Sequence, residues 1–415
     1  MHRINIRSRS PAFVSIFVLG INTISLVVFT PLFIDFLGSE RYGYWLVIQA
    51  IISTCMLVEF GGYNTLARKI AVHSGEHQEL WHGIAKTLYR KYFFQLMLAV
   101  IGVTPIVFYI CRSMWHWDLG IAWLLVGLGA PLLLYIRMKS ALLIGSQEIS
   151  AERWLQCLNT VAGLVLGVGF CIIYPSLSSL ALGGLLGNLI ACWVSRSLIT
   201  DHSKTVPREM IIDVISQARP QGVVNFSSFI MGGLSPVIVG LVIGGGQVVV
   251  YTLTTRVASL GIQLFQAMLN SQSSLWGKLY ANNGLVLTSI HVRKFGRMLF
   301  PFVLFSFILY AWLCPYVIHF WTHGKVIVPI FLPILLAVSA IIVVYDNICA
   351  AFVNAVRVAN QFQFSAICGA ILYLLLTSIL GHFYGVVGMS IGALIAHCAT
   401  TTRAAFFAYI DLVKS

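Results

Sequence analysis

Stretches of about 20 consecutive apolar residues recur along the whole chain, and no other feature constrains its fold as strongly. A helix of that length matches the hydrocarbon thickness of a bilayer, whereas a membrane-spanning β-strand is shorter and alternates polar with apolar positions. Of the 415 residues, 59% are hydrophobic and only 9% are charged, which is more apolar surface than a soluble domain can bury. The sequence therefore predicts an all-α polytopic membrane protein.

Twelve apolar windows predict twelve transmembrane helices. They fall at 11–35, 42–60, 92–111, 119–136, 155–174, 179–195, 221–243, 247–270, 298–318, 327–349, 364–381 and 386–408. We interpret them as two six-helix lobes, with 1–200 as the N-terminal lobe, 201–220 as a cytoplasmic linker and 221–415 as the C-terminal lobe. The stretches 61–91, 195–220 and 277–297 are then long inner loops, and "MIIDVI" (210–215) is an amphipathic turn at the membrane surface.

An internal repeat supports this division. "LGGLLGNLIAC" (182–192) aligns without gaps on "VGMSIGALIAH" (387–397), at an offset of 205 residues. Each half begins on the same side of the membrane, so the two lobes would be related by a pseudo-two-fold axis along the membrane normal. The alternative is that Gly-x-x-x-Gly is only a common packing device of membrane helices.

The distribution of basic residues predicts the orientation. With a cytoplasmic N-terminus, 22 of the 26 Lys and Arg residues fall in inner segments and three in outer loops. Positive charge accumulates on the cytoplasmic side of membrane proteins, so both termini are predicted to be cytoplasmic. Because these charges are spread over many loops, the net charge of +13 is explained by topology and predicts no nucleic-acid partner.

The eighth predicted helix carries a polar stripe that includes a cation. Its members are spaced three or four residues apart and therefore share one face: Thr252, Arg256, Ser259, Gln263, Gln266 and Asn270. A charge at the bilayer centre costs roughly 2.5–3.5 kcal/mol on insertion scales. The alternative role of such groups is to hydrogen-bond helices together, at about 0.6 kcal/mol per contact. Six polar positions, one of them a cation, are more than is required to hold helices together.

We therefore predict a hydrated central cavity with a positive focus. Polar residues of the seventh and first helices extend its lining: Asn225, Ser228 and Asn22. An arginine at that depth donates paired hydrogen bonds to a phosphate or carboxylate, so the predicted ligand is anionic.

Three acids near helix ends are candidates for coupling to a proton or sodium gradient: Glu59, Asp346 and Asp35. The alternative for each is a satisfied residue at a helix end. The nine cysteines are scattered, and the His pairs lack a third ligand, so no metal site is predicted. No phosphate-binding P-loop is present, and neither a cofactor nor a catalytic residue is expected.

Several motifs, taken in order, resemble the polysaccharide and O-antigen flippases (Wzx-type) of the multidrug/oligosaccharidyl-lipid/polysaccharide exporter superfamily. The first half has Leu37-Gly38, Tyr42-Gly43-Tyr44-Trp45, Glu59-Phe60-Gly61 and Arg68. Glu59 stands where that family more often has aspartate. The second half has a glycine-containing turn at Gly246, followed by Tyr251 and Arg256 on the eighth helix, and "YGVVGMSIGALIA" (384–396) is similar to the family's last helix.

The resemblance implies a V-shaped fold of two lobes in the bacterial inner membrane. It also implies transfer of an undecaprenyl-pyrophosphate-linked oligosaccharide, such as an O-antigen repeat unit, from the cytoplasmic to the outer leaflet by alternating access, without covalent chemistry. The implied partners are this lipid-linked oligosaccharide, the lipid bilayer, and the glycan polymerase and chain-length machinery.

Two alternatives remain open. A drug or cation antiporter of the same superfamily would be expected to place carboxylates deep in its cavity. A membrane-embedded glycan polymerase or glycosyltransferase would need a sizeable outer loop or an outer carboxylate motif, and the predicted outer loops here are short.

Overall fold

The computed structural model describes residues 11–72, 78–111, 117–198, 206–355 and 363–402, and within these ranges all regular structure is helical. The helices are α1 (Pro11–Leu37), α2 (Ser39–Cys55), α3 (Gly62–Val72), α4 (Gln78–Ile110), α5 (Trp117–Gly145), α6 (Ile149–Ile173), α7 (Leu177–Leu198), α8 (Arg208–Gly232), α9 (Ser235–Val242), α10 (Gly245–Trp321), α11 (Phe331–Ala355) and α12 (Gln363–Ala396). A 3₁₀ turn (Met56–Glu59) extends α2, and a π-helical stretch (His397–Thr402) extends α12.

The predicted all-α membrane fold is confirmed. Ten of the described helical stretches are long and apolar enough to span a bilayer. The bent pair Asn225–Gly232 and Ser235–Val242, with an angle of 44° between its parts, makes eleven. Helix α12 turns back on itself at Gly385 and contributes two arms, which brings the number of passes to the predicted twelve.

Helix α12 is a hairpin because its two arms pack side by side. Gly385 has φ 62° and ψ −148°, which interrupts the helix. A Cβ added at Gly392 would lie 2.7 Å from the carbonyl oxygen of Leu376, sixteen residues earlier, and one at Gly388 would meet the carbonyl oxygen of Leu380. These approaches require antiparallel arms, and Gly385 lies at the predicted boundary between windows 364–381 and 386–408.

Helix α10 is a second and longer hairpin, broken at Gly284 with φ 73° and ψ −174°. The hydroxyl of Tyr310 on the second arm donates to the carbonyl oxygen of Thr254 on the first, at 2.9 Å. The prediction that 277–297 is a loop is therefore wrong, since the chain there is helical on both sides of Gly284. Its polar residues lower the hydropathy below the membrane range, but Trp276 and Phe295 still pack edge to face, with ring centroids 5.8 Å apart.

The chain divides into two compact units, Met1–Asn225 and Phe226–Ser415. In the first unit, α7 packs on α5 and α6, and α1 packs on α6. The contact between α6 and α7 is close because glycine faces glycine. A Cβ at Gly187 would lie 2.7 Å from the Cα of Gly163, and one at Gly183 would meet the backbone of Gly167.

The second unit is built on the α10 hairpin and α11. Phe265, Trp276, Phe307, Val344 and Phe352 belong to one buried apolar cluster that joins both arms of α10 to α11. The repeated Gly-x-x-x-Gly pair has the same role in each unit, because Gly183 and Gly187 pack on the preceding pass, and so do Gly388 and Gly392. This shared role supports a true internal repeat.

The turns give a second sign of the repeat. Gly38 precedes α2 with φ 80° and ψ 159°, and Gly244 precedes α10 with φ 123° and ψ 164°. These left-handed conformations favour glycine. The second-half turn predicted from Gly246 is thus made by Gly244, while Gly246 is helical.

The segment predicted as a linker is partly a helix that docks on α3. Lys69 of α3 forms an ion pair with Asp213 of α8, and Arg68 donates to Gln217 at 3.5 Å. The backbone of Gly222 touches that of Phe60 so closely that a Cβ would not fit. The "MIIDVI" stretch lies near the start of α8 and is therefore part of a longer helix, in which Val214 is buried.

Candidate functional site

The polar stripe predicted around Arg256 lies on the first arm of α10, and its exposure changes along the arm. Thr252 is buried, Arg256 and Ser259 are partly buried, and Gln263 is exposed. The stripe therefore runs from the interior of the protein to an accessible surface. With the predicted topology, the accessible end is the cytoplasmic one.

Arg256 is the cation of the stripe, and one of its donor groups is buried. Its Nη1 is buried and has no hydrogen-bond partner among the described residues. Leaving a buried donor unpaired costs about 1–3 kcal/mol, and more when the group is charged. Such groups are normally satisfied by water or by a ligand.

Thr252 and Ser259 lie one turn to either side of Arg256. The hydroxyl of Thr252 is also buried without a partner in the described part of the chain. Ser259 donates its hydroxyl to the backbone carbonyl of Arg256, at 2.7 Å, so its oxygen remains available as an acceptor. The three residues present a cation and two hydroxyl oxygens on one helix face.

The other predicted cavity residues lie in different places. Gln266 is partly buried on the same arm, whereas the side chain of Asn270 lies outside the described residues. Ser228 of α8 is exposed. Asn225 and Asn22 belong to the first unit, and the Oδ1 of Asn22 is buried without a partner there.

Glu59, predicted as an ion-coupling candidate, has a cationic partner. Its Oε1 lies 3.2 Å from Nη1 of Arg137 on α5, and its Oε2 is buried with no hydrogen-bond partner in the described ranges. The backbone explains the motif, because Phe60 and Gly61 adopt φ 41° and φ 77° and turn the chain from the 3₁₀ helix into α3. Glu59-Phe60-Gly61 is thus a turn that buries a carboxylate beside an arginine.

Asp346 and Asp35 differ in burial. Asp346 on α11 is partly buried, and its Oδ1 has no hydrogen-bond partner among the described residues. Asp35 on α1 is exposed one turn before the Gly38 turn. Of these two acids, only Asp346 has an interior oxygen that could take up a cation.

A second buried acid, Glu152, was not predicted from the sequence. Glu152 of α6 is buried, accepts a hydrogen bond from Gln156, and has Arg153 Nε 3.5 Å from its other oxygen. Burial and the charge of Glu152 raise the pKa of Tyr63 on α3 to about 12. Tyr63 therefore stays protonated at neutral pH. Tyr63 and Glu152 are far apart in the sequence, so no local pattern could have predicted their interaction.

A buried hydroxyl cluster in the second unit was also missed. Ser235 of α9 and Tyr373 of α12 share a hydrogen bond of 2.8 Å. Tyr251 of α10 bonds to both of them and to Ser390 of α12. The cluster joins four passes, and a lone tyrosine in an apolar stretch such as Tyr373 gives no signal that would reveal it.

A cationic pair on one aromatic ring lies in the first unit. Lys139 of α5 is 5.5 Å and Arg196 of α7 is 5.9 Å from the ring centroid of Tyr135. Lys139 is buried, and the ring face stabilises its charge there. Lys139 and Arg196 are among the basic residues from which the cytoplasmic side was predicted, and in the structure both pack on the ring of Tyr135.

The described helices of the chain match solved membrane transporters. An inward-facing multidrug resistance MATE family transporter of the MOP superfamily superposes with a TM-score of 0.70 at 16% identity, over 97% of this chain and 99% of that chain. The fold is that of the MATE transporters. An outward-facing structure of the same kind gives a TM-score of 0.66 at 14% identity, over 98% of each chain. A MATE protein in a straight conformation gives 0.59 at 16% identity, over 100% of each.

The sequence itself matches no protein-family model and no curated protein. The inward-facing transporter is described as a member of the MOP superfamily. At these low identities the similarity concerns the fold alone. Membership of the O-antigen flippase branch stays a prediction.

Proposed function

We propose that this protein is a membrane transporter that moves an anionic amphiphile across the bilayer by alternating access. The cargo we propose is an undecaprenyl-pyrophosphate-linked oligosaccharide, carried from the cytoplasmic to the outer leaflet. The observation that carries this proposal is the buried guanidinium nitrogen of Arg256, which has no hydrogen-bond partner in the described part of the chain and lies on a polar helix face. MATE structures in inward-facing and outward-facing conformations support the alternating-access part.

The chemistry of the stripe favours an anion. A guanidinium with an unused donor binds phosphate oxygens in pairs, and a partly dry site strengthens that bond. A pyrophosphate would take the place of the missing partner of Arg256. The hydroxyls of Thr252 and Ser259 and the exposed amide of Gln263 would then bond sugar hydroxyls along the same face.

A second candidate is a drug or cation antiporter, and two observations favour it. The matched solved structures are multidrug transporters, which supports this candidate more directly than the first at the level of fold. Asp346, in the unit that holds Arg256, also has one buried carboxylate oxygen without a hydrogen-bond partner among the described residues. In that case Asp346 would bind the cation, and Arg256 would have another role.

The remaining parts of the proposal follow from the first candidate. The protein would act in the bacterial inner membrane with both termini in the cytoplasm, where positive charge accumulates. A proton or sodium gradient would drive transport through Asp346, Glu59 or Asp35. Glycan polymerase and chain-length machinery would take the cargo on the outer side.

The test is the leaflet distribution of the lipid-linked oligosaccharide in cells whose only copy carries Arg256→Ala. We expect accumulation on the cytoplasmic leaflet, as in a deletion strain, with normal membrane insertion of the variant. Gln247→Ala is the matched control, because Gln247 is exposed on the opposite face of the same arm. An unchanged distribution in the deletion strain would overturn the cargo assignment and favour the second candidate.

A further inference from the structure

In the tip of the α10 hairpin, residues 275–300 around Gly284, two hydroxyl residues are buried while three neighbouring apolar residues are exposed. Thr288 and Ser289 are 0% and 2% exposed, whereas Val286, Leu287 and Ile290 are 61%, 56% and 55% exposed. The two buried hydroxyls donate to the helix backbone, at 2.8 Å to Gly284 and 2.7 Å to Val286. A helix in water would show the opposite arrangement. The outer face of the tip is therefore suited to an apolar environment.

The tip extends beyond the hydrocarbon core. The apolar stretch Val286–Trp321 has 36 residues, and at 1.5 Å per residue it is about 54 Å long, against a hydrocarbon thickness of about 30 Å. Exposed basic residues mark the place where it leaves the core: Arg293, Lys294 and Arg297. Basic residues collect on the cytoplasmic side, so the tip lies there.

The apolar and basic residues share one helix face. Val286, Ile290, Arg293 and Arg297 follow one another at steps of four, three and four residues, and Leu287 and Lys294 form the neighbouring row. Apolar residues beside cations on one face are typical of a helix that lies in the headgroup region of an anionic membrane. Binding to a soluble partner would not explain why the exposed apolar residues are followed by basic residues on the same face.

The chain also has a point at which the tip can change direction. Pro301 lies inside α10, between the basic residues and the membrane-spanning part of the second arm. Proline removes a backbone hydrogen bond and allows a helix to kink. The tip can therefore turn toward the membrane plane without unfolding.

We propose that the tip binds the cytoplasmic leaflet, with Val286, Leu287 and Ile290 inserted among acyl chains and the basic residues bound to anionic headgroups. This anchor is independent of what the protein transports. It gives the second unit a fixed contact with the cytoplasmic leaflet outside its membrane passes.

Fluorescence of the full-length protein in vesicles tests this proposal. A polarity-sensitive dye is attached to Leu287→Cys in a protein whose exposed Cys398 is replaced by serine, with vesicles of phosphatidylcholine and phosphatidylglycerol. We expect blue-shifted emission, quenching by acyl-chain spin labels and protection from acrylamide. The same dye on Arg208→Cys, at the exposed start of α8, is the water-exposed reference. Both substituted residues are exposed, so folding should not suffer.

Three results would overturn the proposal. The first is acrylamide quenching at residue 287 as strong as at residue 208 in these vesicles. The second is equal protection in vesicles of phosphatidylcholine alone, which would remove the role of the basic residues. The third is protection that grows with protein density at constant lipid composition, because a second copy of the chain would then cover the tip. A supporting result is that Leu287→Glu, in a protein labelled at Ile290→Cys, loses the blue shift.

Discussion

The carboxylate of Glu59 and the guanidinium of Arg137 form an ion pair, at 3.2 Å, in which the acid is buried and the base is 38% exposed. The two partners are therefore not equivalent. Removing Arg137 leaves a buried charge without compensation, whereas removing the charge of Glu59 leaves a cation that can reach water.

We predict that Arg137→Gln destabilises the protein by about 1–3 kcal/mol and that Glu59→Gln costs less. Thermal unfolding of the detergent-solubilised variants measures the difference. The double variant should recover part of the loss. If Glu59→Gln instead keeps full stability but abolishes gradient-driven transport, Glu59 is a coupling residue and the pair is functional.

The glycines of α7 give a prediction with a matched control in the same helix. Gly183→Ala and Gly187→Ala place a methyl group against the backbone of α6 and should each cost about 1–3 kcal/mol. Gly184→Ala, where a Cβ meets nothing within 4 Å, should be neutral or stabilise by up to about 1 kcal/mol. Comparable melting temperatures for all three would show that the two helices are not in close contact.

Hydropathy predicted the twelve passes because each pass must be apolar over its whole length. It also located the break at Gly385. It could not predict the helical hairpin around Gly284, since the polar residues there resemble a loop, whereas contacts between the two arms, such as Trp276 on Phe295, show the hairpin. The packing of α8 on α3 was also not predictable from the sequence, because Lys69 and Asp213 are far apart in it.

The hydroxyl cluster predicts a stability effect in the second unit. Tyr373→Phe removes one partner of Ser235 and should destabilise the protein by about 1 kcal/mol. Tyr384→Phe is the control, because Tyr384 lies on the same arm of α12 and is exposed. Guanidinium or thermal unfolding in detergent measures both. An equal effect of the two substitutions would mean that the cluster contributes nothing.

The attachment of α8 to α3 should weaken in acid. The hydrogen bond from Lys69, with the charge of that residue, lowers the pKa of Asp213 below its ordinary value of 3.8. Because the pKa of Asp213 is lower in the folded protein, its ionised carboxylate stabilises the contact fully at pH values above the ordinary pKa. This contribution is lost as the pH falls through the folded-state pKa. Spin labels on α3 and α8 should therefore show a broader distance distribution at low pH.

Asp213→Asn should show that broader distribution already at neutral pH. Glu209→Gln, an exposed acid one turn earlier on α8, is the control and should behave like the wild type. A pH-independent distance in the wild type would contradict this account of the contact.

The candidate site was only partly predictable. The spacing of Thr252, Arg256 and Ser259 placed them on one helix face, and the structure agrees, because regular helix geometry fixes that outcome. The pairing of Glu59 with Arg137 and the open oxygen of Asp346 depend on contacts between helices, which no local pattern encodes.

The most direct measurement is transport by the purified protein in proteoliposomes, with an undecaprenyl-pyrophosphate oligosaccharide and a cationic dye as alternative cargoes. We predict transport of the oligosaccharide, reduced roughly 10- to 150-fold by Arg256→Gln, which corresponds to the 1.5–3 kcal/mol of a charge-assisted hydrogen bond. Asp346→Asn should leave cargo selectivity unchanged. Transport of the dye alone, abolished by Asp346→Asn and unaffected by Arg256→Gln, would contradict it.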